Sequence, residues 1–132
     1  PNFFPFAECD HIDADRNPTD RWHLDYGYCK MGGSTSVACQ IAVEQGFDEI
    51  VLLGCDGLYQ QNRVNHFSKD YVDPDARDNP GTILTNKTLR MAHNTMANEC
   101  KLRGVTLLNA SRVTHLGMHP KVNLDEYLKQ LT

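Results

Sequence analysis

The feature that most constrains the fold is an uninterrupted apolar run, Ile50-Val51-Leu52-Leu53, which leads into Gly54-Cys55-Asp56. A run without alternation is typical of a strand covered on both faces in a parallel sheet. Directly before it, residues 34–45 carry apolar side chains at helical spacing, and Gly46 follows where a helix commonly ends. A glycine loop, a helix, a short turn and a buried strand in this order predict an α/β fold.

The rest of the chain continues this alternation. Three further elements are predicted: a helix from about Thr85 to Arg103, a strand from Val105 to Asn109, and a terminal helix from Leu124 to Leu131 capped by Asn123. Residues 1–27 and 57–82 are rich in turn-forming residues and are predicted as loops. We expect residues 1–132 to form a single Rossmann-like α/β domain, a doubly wound, mostly parallel sheet in three α/β/α layers.

Composition argues against several classes of protein. Seventeen acidic and thirteen basic residues give a net charge of -4 without a basic run, so we expect no nucleic-acid partner. No apolar run approaches the ~20 residues that span a bilayer, which favours a cytoplasmic protein without a membrane span. Five cysteines without a CxxC pair favour reduced thiols, and we expect no metal site, because the acidic residues 10–15 lack the glycine and glutamate of a calcium loop. Homo-oligomerisation stays open.

The start of the first helix is a candidate anion site. Its sequence, Gly32-Gly33-Ser34-Thr35-Ser36, brings backbone N–H groups and hydroxyls to the positive end of the helix dipole. Plain capping of the helix by serine or threonine is the alternative. Asp56 ends the buried strand, where doubly wound sheets bind their ligands, and it either accepts hydrogen bonds from a ligand or caps a turn.

The loop after Asp56 supplies further candidates. Tyr59 offers a ring for stacking and Gln60 an amide that could contact a base edge, with loop anchoring as the alternative for both. His66 is a candidate general base, since an imidazole near its ordinary pKa of ~6.5 can take a proton from a hydroxyl. Lys69 and Tyr71 are candidate phosphate or donor contacts. No role is assigned to the remaining histidines: His11, His23, His93, His115 and His119.

In combination, Gly32–Ser36, Ala42–Asp56 and Asn65–Phe67 resemble bacterial sialyltransferases of the Campylobacter type. They equally resemble the related hydroxymethylpterin diphosphokinase-like proteins, whose genes are often found beside genes for flagellin or lipopolysaccharide glycosylation. The similarity covers about residues 30–110, and the order Gly-Gly-Ser-Thr-Ser differs from the sialyltransferase loop. The resemblance implies that the chain is a C-terminal part of the family, without the N-terminal half that supplies further nucleotide contacts.

The resemblance also implies roles for individual residues. Gly32, Gly33, Ser34, Thr35 and Ser36 would contact the phosphate or cytidine, Asp56, Tyr59 and Gln60 would line the donor pocket, and His66 would be the general base. The expected reaction transfers a sialic-acid-like sugar from a CMP-linked donor to a hydroxyl of a glycan acceptor, without a cofactor, and the resemblance leaves open that this C-terminal part alone is inactive. The alternatives are ATP-dependent diphosphate transfer to a pterin alcohol, with Mg²⁺, and a non-catalytic nucleotide-binding module.

Overall fold

A computed structural model describes Trp22, Leu24, Tyr28, residues 33–58 and residues 81–132, with residues 81–85 described as backbone. Within these residues five elements follow in chain order: α1 (Ser34–Glu44), β1 (Glu49–Leu52), α2 (Gly81–Leu102), β2 (Thr106–Asn109) and α3 (Leu124–Gln130). The predicted order of helices and strands is therefore confirmed for this part of the chain.

The two described strands are neighbours and run parallel, with Ile50 of β1 opposite Leu107 of β2. Because α2 lies between them in the sequence, β1, α2 and β2 form one β-α-β unit. The ladder continues past the strand ends, since the Ala110 amide donates to the Leu52 carbonyl at 2.9 Å. Both strands therefore deliver their carboxyl ends to the same edge of the sheet.

Helix α1 begins and ends at glycines. Gly33 is its N-cap, with φ 76° and ψ -163°, a backbone conformation that residues with a Cβ rarely adopt. At the other end the Gly46 amide donates to the Val43 carbonyl at 3.1 Å, and Gly46 has φ 85°. The predicted helix over residues 34–45 is confirmed within one residue.

Helix α2 is longer than predicted. It begins at Gly81, whereas the sequence predicts a loop through residue 82 and a helix from about Thr85. The prediction of the loop is wrong at its end, because residues that break a helix interior are tolerated in the first turn of a helix. Ala92, Met96 and Cys100 recur at helical spacing and are buried, so they form the packing face of this helix.

The core lies between the sheet and the two longer helices. Its buried residues are Trp22, Cys39, Leu52, Met96, Cys100 and Leu107. The Cys39 and Cys100 sulfur atoms lie 3.8 Å apart as free thiols, which brings α1 directly against α2. At the rim, Arg103 pairs with the fully buried Glu99 and its guanidinium lies 5.9 Å from the centre of the Trp22 ring.

Helix α3 is short and none of its residues is buried. Asn123 caps it as predicted, because the Asn123 Oδ1 accepts a hydrogen bond from the Glu126 amide at 3.2 Å. Tyr127 on this helix donates a hydrogen bond to Glu49 at the start of β1. No helix in the described part of the chain combines the length and apolar character needed to cross a membrane.

Candidate functional site

The segment after β1 is held by side chains from the segment after β2. The backbone N–H of Cys55 donates to Ser111 Oγ at 2.8 Å, and the Cys55 carbonyl accepts from Thr114 Oγ1 at 2.9 Å. The Asp56 carbonyl accepts a further hydrogen bond from the His115 amide at 2.7 Å. A longer hydrogen bond, from Asn109 Nδ2 to the Cys55 carbonyl at 3.5 Å, is the fourth that fixes the backbone of residues 55–56 across the carboxyl edge of the sheet.

Asn109, the last residue of β2, organises these contacts and is fully buried. Its Nδ2 donates to Thr114 Oγ1 at 3.0 Å, and its Oδ1 accepts from the Ser111 amide at 2.9 Å. Asn109, Ser111 and Thr114 are not among the site residues predicted from the sequence. The sequence does offer a signal, because Asn109 ends a predicted buried strand, as Asp56 does, and Ser111 and Thr114 follow within five residues.

A cavity of 220 Å³ lies beside this edge. It is lined by Thr35 from the first turn of α1, by residues 54–58 after β1, and by Leu89 and His93 of α2. The structure therefore brings together two predicted site residues, Thr35 and Asp56, from segments about twenty residues apart in sequence. The Asp56 side chain is exposed.

The first turn of α1 receives no side-chain cap from its N-cap residue. An α-helix leaves its first N–H groups without an intrahelical acceptor, and here the N-cap, Gly33, has no side chain to supply one. The first turn also carries no acidic residue. This helix start therefore has the positive potential that favours an anion.

The three predicted hydroxyls of this turn lie in different environments. Ser34 is exposed and Thr35 is half-buried at the cavity. Ser36 is buried, and Gln40 Nε2 donates to its carbonyl at 3.1 Å and contacts its Oγ at 3.4 Å. Thr35 is thus the hydroxyl of this turn that lines the cavity, while Ser36 packs inside the helix pair.

Cys55 adds a thiol to the cavity wall. Burial raises the pKa of this thiol, a hydrogen bond with Thr35 lowers it in part, and the charge of Asp56 raises it further. The net direction is upward, so the Cys55 thiol is neutral at physiological pH and is a poor nucleophile. The chemistry of this wall is therefore hydrogen bonding rather than covalent attack.

Two histidines without a predicted role meet beneath the cavity. The His93 Nδ1 and the His119 Nε2 lie 2.9 Å apart, with the ring centres separated by 5.1 Å and the rings inclined by 66°. The side chains are 2% and 4% exposed, respectively. His93 also lines the cavity, so this pair connects the segment after β2 to the candidate site.

Several predicted site residues lie outside the described part of the chain: Gly32, Tyr59, Gln60, His66, Lys69 and Tyr71. Among the residues that the structure describes, no three His, Cys, Asp or Glu side chains converge as a metal site would require. In comparisons with known proteins, no family model, curated protein or solved structure matches the chain.

Proposed function

We propose that this chain is a nucleotide-binding α/β domain of a transferase and that a phosphate group of the nucleotide occupies the 220 Å³ cavity. One observation carries the proposal. The start of α1 and the segment after β1 meet at a cavity on the carboxyl edge of a parallel strand pair. In doubly wound sheets this edge is where ligands bind, and a helix start favours phosphate there.

In this proposal, different described residues bind different parts of the nucleotide. The uncapped N–H groups of α1 would donate to an anionic oxygen beside Thr35, while Asp56 would accept hydrogen bonds from hydroxyl groups such as those of a ribose. The cavity is smaller than the roughly 300–1,000 Å³ of complete small-molecule sites. It therefore fits the phosphate and an adjoining part of the ligand rather than a whole nucleotide.

The reaction in this proposal is the transfer of a sialic-acid-like sugar from a CMP-linked donor to an acceptor hydroxyl, supported by the resemblance of Gly32–Ser36, Ala42–Asp56 and Asn65–Phe67. In this proposal His66 accepts the proton of that hydroxyl, and Tyr59 and Gln60 contact the cytosine base of the donor. The wider fold in this proposal is the doubly wound, three-layer sheet. The β1-α2-β2 unit is compatible with it.

Binding is tested by following backbone amide NMR signals of the 132-residue chain during titration with CMP, CDP and ATP, each with and without Mg²⁺. We expect CMP and CDP to move the signals of residues 34–36 and 54–58 without Mg²⁺. A response to ATP that needs Mg²⁺ would favour diphosphate transfer instead. Signals in both segments that stay unmoved with all three nucleotides would overturn the site.

A pair of glycine variants separates binding from helix stability. Gly33→Ala places a Cβ at the helix start, where φ is 76°, and Gly46→Ala places one at the helix end, where φ is 85°. Neither Cβ meets an atom within 4 Å, so both variants strain the backbone of α1 without a clash. Only Gly33→Ala should weaken the response to CMP, and equal weakening by both would show that the helix start binds nothing.

A further inference from the structure

The buried pair of His93 and His119 has one feature that packing alone does not explain. Of the fully buried side-chain nitrogen and oxygen atoms among the described residues, His119 Nδ1 alone lacks a hydrogen-bond partner. The other nitrogen of the ring, Nε2, faces His93 Nδ1 at 2.9 Å. This arrangement decides which nitrogen atoms of the pair carry protons.

Both rings are neutral at physiological pH. Burial lowers the pKa of His93, and burial together with the charge that His93 would carry lowers the pKa of His119 to about 4. A neutral pair shares one proton across the 2.9 Å contact, so one ring donates and the other accepts. Two arrangements satisfy this condition.

In the first arrangement His93 donates from Nδ1. His119 then accepts at Nε2 and must carry its own proton on Nδ1, as a buried N–H without an acceptor. In the second arrangement His119 donates from Nε2, and its unpartnered Nδ1 is only a lone pair. Orphaned buried N–H groups are rarer in proteins than under-satisfied acceptors, so the second arrangement is favoured.

The favoured arrangement leaves the proton of His93 on Nε2, the ring nitrogen not engaged with His119. Because His93 lines the cavity together with Thr35 and Asp56, this N–H is available to a ligand there. We propose that His93 is a ligand-binding residue that donates an Nε2–H hydrogen bond to a phosphate oxygen, and that His119 is the positioning residue that fixes its tautomer. This inference rests on the proposed binding of a phosphate-bearing ligand in the cavity.

The tautomer is measured without a ligand. Long-range ¹H–¹⁵N NMR of the imidazole rings at pH 7 should show protonated Nε2 and unprotonated Nδ1 in both His93 and His119. A His93 ring protonated on Nδ1 would overturn the inference while leaving the proposed nucleotide binding untouched.

Ligand contact is measured with CMP as the probe. His93→Phe should weaken CMP binding about tenfold or more, because hydrogen bonds to charged groups are strong. His93→Gln, whose amide nitrogen lies near the place of Nε2, should stay within about threefold of the unchanged protein. His115→Phe, at an exposed position that does not line the cavity, is the matched control.

The outcomes separate the two proposals. CMP binding that His93→Phe leaves unchanged overturns the role of His93 alone. Absence of binding by the unchanged protein overturns the proposed function and this inference with it. If His93→Phe does not fold, the ¹⁵N signal of His93 Nε2 in the unchanged protein decides, since it should move on addition of CMP and an unmoved signal contradicts the contact.

Discussion

Gly57 lies directly against Leu116, so that a Cβ at Gly57 would clash with the leucine side chain. Leu116 is 1% exposed and lies in the interior, where side chains are generally close-packed. Gly57 also has φ 73°, a conformation that favours glycine. Through this contact, residues 54–58 of the cavity wall pack against the segment after β2.

Gly57→Ala should lower the free energy of unfolding by the strain of a left-handed backbone, about 1–2 kcal/mol, plus about 1–3 kcal/mol for overpacking against Leu116. Gly54→Ala is the matched control, since Gly54 has φ 67° and its Cβ would meet nothing within 4 Å. Gly54→Ala should therefore lower the free energy of unfolding by the backbone strain alone, about 1–2 kcal/mol. Urea unfolding measures the stability of both variants. Equal losses in the free energy of unfolding would mean that Leu116 accommodates the added methyl group without cost.

Asn109→Asp should destabilise the carboxyl edge of the sheet. The substitution keeps the shape and the acceptor for the Ser111 amide but removes the Nδ2 donor to Thr114. It also places a carboxyl group at a fully buried position. We expect a loss of about 2–3 kcal/mol in the free energy of unfolding.

Asn98→Asp, at an exposed position on α2, is the control for Asn109→Asp and should change stability by less than about 0.5 kcal/mol. Amide hydrogen exchange adds a local measurement. In Asn109→Asp, protection of the Cys55 and His115 amides should fall, since both donate across the edge that Asn109 organises. A variant as stable as the control would contradict this view of the edge.

Spacing predicts α1 but not the residues it buries. Val37 and Ile41 recur at helical spacing, yet both are half-buried, whereas Ser36, Cys39 and Gln40 are buried. Counting apolar side chains cannot show that Gln40 bonds to Ser36 one turn earlier. Nor can it show that Cys39 packs against Cys100, 61 residues later in the chain.

The candidate site was predictable where position alone decides it. Asp56 follows a buried strand, and a parallel sheet gathers its strand ends at one edge, so its place at the cavity follows from the pattern. The pairing of His93 with His119 does not follow from any pattern. It depends on the irregular path of residues 110–120, which is set by side-chain to backbone contacts such as that of Thr114 with Cys55.

For the sugar transfer proposed above, with His66 as its general base, His66→Ala should lower turnover by about 10²–10⁴-fold and leave donor affinity within a few-fold, because general-base help acts on the chemical step. His66 lies outside the described residues, so this prediction rests on the sequence. Single-turnover rates with a CMP-linked donor measure it, with His115→Ala as the control. Full turnover in His66→Ala would leave that histidine as a loop anchor.

Stability should fall as the pH falls from neutral toward 4, with His119 as one cause. Its pKa is about 4 in the folded protein and about 6.5 when exposed, so the unfolded chain binds the proton first. The contribution is complete above pH 6.5 and is lost between there and pH 4. From pH 7.5 to pH 5 this one group should lower the free energy of unfolding by about 2 kcal/mol.

His119→Gln isolates that contribution, because glutamine keeps an amide donor for His93 Nδ1 but does not titrate. Urea unfolding at several pH values should give a shallower pH dependence for His119→Gln than for the unchanged protein, with a difference of about 2 kcal/mol accumulated by pH 5.

His93 contributes in the same direction, since burial lowers its pKa as well, and it remains in the variant. The same substitution at the exposed His115 is measured alongside as the control for replacing a histidine by glutamine. Parallel pH profiles for His119→Gln and the unchanged protein would mean that His119 takes up its proton in the folded state as readily as in the unfolded chain. That result would contradict the inference that the His93–His119 pair is neutral and that His119 fixes the tautomer of His93.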